Sequence, residues 1–141
     1  HLVFSDVSVK DRLEAILHPM IRRESEVQCR NATAAPYVLL VVPLFVENAG
    51  YRQLADRVLV VDCDESAQLA RVAARSGFSA DEIRAIMATQ ASRAERLAVA
   101  DDVIENDDGR ESLDARVAKL HQHYLALAAG KGDGNVLQAS C

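Results

Sequence analysis

No uninterrupted apolar stretch in this chain is long enough to cross a bilayer, and the longest, Tyr37 to Val46, contains Pro43. The chain does not open with the basic, apolar and small-residue succession of a signal peptide. Cysteine is sparse and odd in number: Cys29, Cys63 and Cys141 lie far apart. That argues against a disulfide framework and suits a reducing, cytoplasmic setting. Cationic excess is missing as well, since 21 acids against 16 bases leave a net charge of −5. Nucleic acid is therefore not an expected partner, and neither is a membrane. Lysine is scarce: 3 of the 16 bases are Lys10, Lys119 and Lys131, and the other 13 are arginine. What remains is 141 residues, 50% apolar and 26% charged, the composition of one ordinary globular domain. The first residue is His1 rather than methionine, which fits a piece of a longer protein.

Periodicity divides the chain into elements. Lys10 to Arg30 has Leu13, Ile16, Leu17, Met20 and Ile21 at three-and-four spacing, which predicts a helix with one apolar face, capped by Asp6 or Ser8. Pro19 removes a backbone donor and disfavours helical geometry at His18, so a kink or break is expected there. After a loop over 31–36 comes Val38-Leu39-Leu40-Val41-Val42, and later Val58-Leu59-Val60-Val61; both lack alternation. Short, wholly apolar, β-branched runs predict strands covered on both faces, as in a parallel sheet, and a buried helix is the weaker reading.

A helix from Asp64 to Arg75 is expected to stop near Gly77, and Ser79-Ala80-Asp81-Glu82 has the spacing of a capping box for the next. Val99 to Ile104 predicts a third strand, with a turn over 106–109. Leu113, Val117, Leu120, Tyr124 and Leu127 form the clearest helical stripe. Beyond Gly130 the chain is polar, glycine-rich and expected to fray. This alternation predicts a doubly wound α/β domain whose three-stranded sheet is incomplete.

In an open parallel sheet, ligands bind beyond the carboxyl ends of the strands. The segments there are Pro43 to Asn48, Asp62-Cys63-Asp64 and Glu105-Asn106. Asp62 and Glu47 are candidates to hold a hydrated Mg²⁺ or to orient a substrate; alternatively Asp62 and Asp64 only cap the following helix. Other chemistries lack their residues. His18, His121 and His123 have no zinc-site spacing with Cys29 or Cys63, and His121 and His123 point to different helix faces. Neither a Cys-x-x-Cys nor a Gly-x-Ser-x-Gly elbow occurs. Gly130-Lys131-Gly132 lacks the remainder of a phosphate loop.

Arginine clustering is the stronger signal. Five arginines fall between Arg71 and Arg96. Arg71 and Arg75 share one helix face, and Arg93 and Arg96 another. They form either a solvated face with charge pairs or a helical lid over a polyphosphate, where fixed, bidentate guanidinium groups neutralise charge and exclude water.

Five segments in order resemble the dephospho-coenzyme A kinases, from Phe4 to about Leu127. They are Leu13-Glu14-Ala15-Ile16-Leu17-His18-Pro19-Met20-Ile21, Val41-Val42-Pro43-Leu44-Phe45-Val46-Glu47-Asn48 and Asp56-Arg57-Val58-Leu59-Val60-Val61-Asp62. The others are Gln90-Ala91-Ser92-Arg93-Ala94-Glu95-Arg96-Leu97 and Ala100-Asp101-Asp102-Val103-Ile104-Glu105-Asn106. The resemblance implies an α/β, parallel-sheet, P-loop-kinase-like fold with helices on both faces and a helical lid. It implies transfer of the γ-phosphoryl group of ATP, with Mg²⁺, to the ribose 3′-hydroxyl of dephospho-CoA, the last step of coenzyme A synthesis.

By position, Arg71, Arg75 and Arg93 would belong to the lid as catalytic groups. His18 and the turn bearing Pro43, Leu44 and Glu47 would line the acceptor side, and Asn106 would lie near the adenine. A structural helix-break role is the alternative for His18. Residues 1–129 would be the C-terminal part of the kinase domain, with the lid at about 64–98, and 130–141 a disordered tail.

The sequence departs from the family at one place. Its Gly-x-x-x-x-Gly-Lys-[Ser/Thr] loop has no match in these residues. In the family that loop and the Asp expected to act as base lie N-terminal to everything matched here, together with a strand between the two apolar runs. The N-terminal strands are thus expected to be missing, and the 141 residues alone to be inactive. A non-catalytic nucleotide- or partner-binding module of kinase-like fold is the alternative.

Overall fold

The computed structural model describes residues 7–107 and 109–132. The expected cap at Asp6, the turn residue Asp108 and the tail beyond Gly132 lie outside them. The chain divides into two compact units, residues 1–41 and 42–141.

The first unit holds α1 (Val7–Asn31), which runs unbroken through Pro19, contrary to the expected break. A proline inside a helix removes one donor, and Pro19 and its neighbours are exposed, so water can satisfy the orphaned carbonyl. The stripe of Leu13, Ile16, Leu17, Met20 and Ile21 has the predicted spacing, yet all five residues are exposed. The run Val38–Val42 is also not the strand expected of it. A strand is defined by its pairing, and no described residue forms a ladder with this run. Val41 is 85% exposed rather than covered on both faces.

The second unit contains the sheet. β1 (Leu59–Asp62) and β2 (Asp102–Glu105) pair in parallel, Leu59 opposite Asp102 and Asp62 opposite Glu105. Two of the three expected strands therefore form the sheet. Parallel neighbours need a crossover, supplied here by three helices: α2 (Glu65–Ser76), α3 (Ala80–Met87) and α4 (Arg93–Ala98). α2 ends at Gly77, whose φ of 73° is left-handed and whose N–H reaches the Ala73 carbonyl. α3 opens with the predicted capping box between Ser79 and Glu82. A second box between Ser92 and Glu95 opens α4. α5 (Arg110–Gly132) follows β2 and packs against it, and it continues two residues past Gly130, where fraying was expected.

The buried apolar residues are Val58, Ile83 and Ile104. Polar ties fix the register at the amino ends of the strands. Asp101 Oδ2 accepts from the Val58 N–H at 2.7 Å, and the Val58 carbonyl accepts from the amides of Asp101 and Asp102. Arg57 forks onto Asp102 at 2.8 and 3.0 Å, and the Tyr124 hydroxyl of α5 donates to the same carboxylate at 3.0 Å. One aspartate thus joins Arg57, two residues before β1, the start of β2 and the last helix.

Two stability predictions follow from this arrangement. Ile104→Ala removes a side chain left only 5% exposed and should cost about 2–5 kcal/mol by urea denaturation. Asp102 is held below its ordinary value of 3.8 chiefly by the Arg57 hydrogen bonds, with burial opposing. Its contribution is complete above that unfolded value and is lost as pH falls through the lower folded one. Asp102→Asn should lower the urea midpoint at neutral pH, and the wild-type midpoint should approach the variant's as pH drops below 3.8.

Candidate active site

Parallel strands bring their carboxyl ends to one edge, and here that edge is built around Asp62 and Glu105. The two ends are joined by the backbone: the Asn106 N–H donates to the Asp62 carbonyl at 2.8 Å, and the Asp64 N–H donates to Asp107 Oδ1 at 3.1 Å. Arg116 of α5 closes over the same edge, its Nη1 donating to the Glu105 carbonyl at 2.5 Å.

Asp62 is the one buried charged residue among those described, at 5% exposure. A carboxylate this enclosed needs a cation and hydrogen bonds to remain ionised. Arg93, the first residue of α4, supplies both. Its Nε lies 3.0 Å from both carboxylate oxygens, its Nη2 is 2.6 Å from Oδ2, and its Nη1 reaches Asp64 Oδ1 at 3.1 Å. These bonds hold the Asp62 carboxyl below its ordinary range against the opposing effect of burial, and they raise Arg93 in turn.

The two roles weighed for these aspartates are thereby revised. Asp64 occupies the N-cap position of α2, but its side chain makes no cap bond. Both Asp62 oxygens accept from the Arg93 guanidinium.

α2, α3 and α4 enclose a cleft of about 500 Å³. Gln68 and Leu69 of α2, Arg84 and Met87 of α3, and Arg93 and Arg96 of α4 contribute to its lining, with Gln90 and Ala91 from the intervening loop. Three arginines, Arg84, Arg93 and Arg96, thus line one open cleft. Arg71 and Arg75 do not line it. They continue the Gln68 face of α2 at i+3 and i+7 as exposed residues without an ion pair to any described residue. Of the three arginines singled out as catalytic, the fold brings only Arg93 into the cleft, and there it is already bound to Asp62.

Pro43, Leu44 and Glu47 lie in a turn preceding a 3₁₀ segment (Ala49–Leu54). Leu44 is a non-glycine residue at a φ of 56°, a strained position. Its carbonyl accepts both the backbone and side-chain N–H groups of Asn48, which holds the turn closed. Glu47 Oε1 accepts the Ala91 N–H at 2.7 Å, tying this turn to the loop before α4. Asn106 is half-buried beyond β2. His18 is exposed in the middle of α1, in the other unit.

Sequence reasoning missed the placement of Gln68 and Arg84 in the cleft and the bond from Glu47 to Ala91. The break that frees Ala91 had a signal, the spacing Ser92-x-x-Glu95. The long-range pairs had none.

A family model described as dephospho-CoA kinase matches residues 1–112. A dephospho-CoA kinase of Dechloromonas aromatica is 54% identical over 139 residues, covering 99% of this chain and 64% of that protein. One from Burkholderia pseudomallei is 57% identical over 129 residues, covering 91% of this chain and 63% of the relative. A crystal structure of a Thermus thermophilus protein superposes with a TM-score of 0.70 at 34% identity, over 86% of this chain and 63% of that one. The chain therefore spans just under two thirds of the length of the curated relatives it matches. With the family model covering most of its residues, and with five ordered segments and a parallel α/β crossover consistent with that match, this chain belongs to the dephospho-CoA kinase family.

Proposed function

We propose that the complete protein carrying this chain transfers the γ-phosphoryl group of ATP to the ribose 3′-hydroxyl of dephospho-CoA, giving coenzyme A and ADP. The observation that carries this reading is the arginine-lined cleft of α2, α3 and α4, anchored by Arg93 to the carboxyl end of β1, in a chain of this family. In phosphoryl transfer the γ-phosphorus breaks from its bridging oxygen as the acceptor oxygen bonds to it. Catalysis is mostly positioning and charge stabilisation. Arginines remain protonated throughout and suit the phosphate oxygens.

On this reading the three helices are the lid, within the span 64–98. Arg71 and Arg75 are free to meet nucleotide phosphates because no ion pair with a described residue occupies them. Arg93 acts from the root of the lid. Pro43 and Leu44 present the acceptor side, as does His18, and Asn106 lies towards the adenine. Glu47 belongs to the same turn.

Mg²⁺, which accompanies ATP in such chemistry, has no protein cage here: among the described residues no three metal-ligating side chains come together. The Asp62 carboxylate accepts from Arg93. Phosphate oxygens and water are the natural ligands of that ion.

The phosphate cradle is not among these residues, since no Gly-x-x-x-x-Gly-Lys-[Ser/Thr] occurs in the sequence. The chain is thus proposed to work with a phosphate-loop segment of the same protein, in the cytoplasm. A non-catalytic binding module is the second reading, and the same lack of a loop favours it.

Incubating the complete protein with ATP and dephospho-CoA should yield coenzyme A, while the 141 residues alone should yield none. A complete protein that binds ATP without phosphorylating dephospho-CoA would establish the second reading. In the complete protein, Arg71→Ala and Arg75→Ala should each lower kcat/KM for ATP about tenfold or more. Because both side chains are exposed and unpaired, melting temperatures should stay close to wild type. Arg93→Ala differs in kind: it strands the buried Asp62 carboxylate, so its loss of turnover should come with a loss of stability.

A further inference from the structure

The loop between α3 and α4 is held from two directions. Arg93 binds it to the sheet through Asp62 and Asp64. On the other side the Ala91 peptide is gripped at both of its polar groups. Its N–H donates to Glu47 Oε1 at 2.7 Å, and its carbonyl accepts from Arg96 Nη1 at 2.6 Å.

Glu47 lies 44 residues from Ala91 in sequence, so this bond is a tertiary tie and not a turn closing on itself. An ionised carboxylate is the strongest acceptor a backbone amide can find, and the bond is correspondingly short. The turn that carries Glu47 has little freedom of its own: the strained Leu44 and the two Asn48 bonds to its carbonyl fix the backbone within three residues of the carboxylate.

From this geometry we infer that Glu47 is a positioning residue, which sets the root of the lid from the turn on the acceptor side through the Ala91 amide. The inference rests on the kinase reading above. If Pro43 and Leu44 face the acceptor, any adjustment of the turn when the acceptor binds is passed through one hydrogen bond to the residue beside α4. Lid closure and acceptor occupancy are then linked, and water is kept from the γ-phosphoryl group until the 3′-hydroxyl is in place. Without the tie, water can serve as acceptor. Its oxygen bonds to the γ-phosphorus, the bridging P–O bond breaks, and ADP and inorganic phosphate leave with the water proton released to solvent.

The test measures ADP and coenzyme A formed by the complete protein, with ATP and dephospho-CoA, for wild type, Glu47→Ala and Glu47→Gln. Amide hydrogen exchange over residues 88–92 is followed in parallel. Wild type should give a ratio of ADP to coenzyme A near one. Glu47→Ala should raise it at least about threefold and speed exchange at 88–92. Glu47→Gln, whose amide carbonyl still accepts the Ala91 N–H, should keep both near wild type.

A Glu47→Ala ratio that stays near one overturns the inference. So does a raised ratio without faster exchange, because the tie is then not its cause, and so does a Glu47→Gln variant that leaks as much as Glu47→Ala. If wild type forms no coenzyme A, the kinase reading falls and takes the inference with it; an active, tightly coupled Glu47→Ala enzyme removes the inference alone.

Discussion

A buried carboxylate at the end of a strand dictates much of what surrounds it. Asp62 cannot stay ionised in its enclosed position unless a cation is brought to it. Arg93 meets that need from the first turn of α4, and the start of that helix is thereby pinned to the edge of the sheet. The cleft depends on that pin. α2 leaves β1 almost at once and α3 folds back on α2, so α4 must return to the sheet for the three helices to enclose a space. The same guanidinium reaches Asp64, fixing the start of α2 relative to the start of α4.

The opposite end of the sheet is tied by a similar device. Arg57 and Tyr124 converge on Asp102, and Asp101 takes the Val58 amide. Four-residue strands have few ladder bonds, and a slip of one residue would turn over the faces of one strand relative to the other. Side-chain ties at each end hold a register that so short a ladder specifies weakly.

Local chemistry was legible where it is local. The helix after Asp62, its glycine stop at Gly77, the capping box at Ser79 and the two strands around Val60 and Val103 all follow from spacing and residue type. Expectations failed where they depended on what covers a segment. Val38–Val42 looks like a buried strand, but pairing and not hydrophobicity makes a strand. Pro19 looks like a helix breaker, yet one lost donor in a 25-residue helix is bearable when water can reach the freed carbonyl. At the site, arginine spacing did not show which arginines line the cleft and which are bound to an acid. The Asp62–Arg93 and Glu47–Ala91 pairs join residues 31 and 44 apart, and no sequence period carries such information.

The bases that line the cleft are all arginine; neither lysine nor histidine contributes to it. Glu65 and Glu95 are its acids, and the Ser92 hydroxyl and amide hold the Glu95 carboxyl below its ordinary value. Arginine stays protonated well above neutral pH, so the basic side of the cleft wall keeps its charge there. A pH dependence of binding in this cleft would therefore not arise from its arginines.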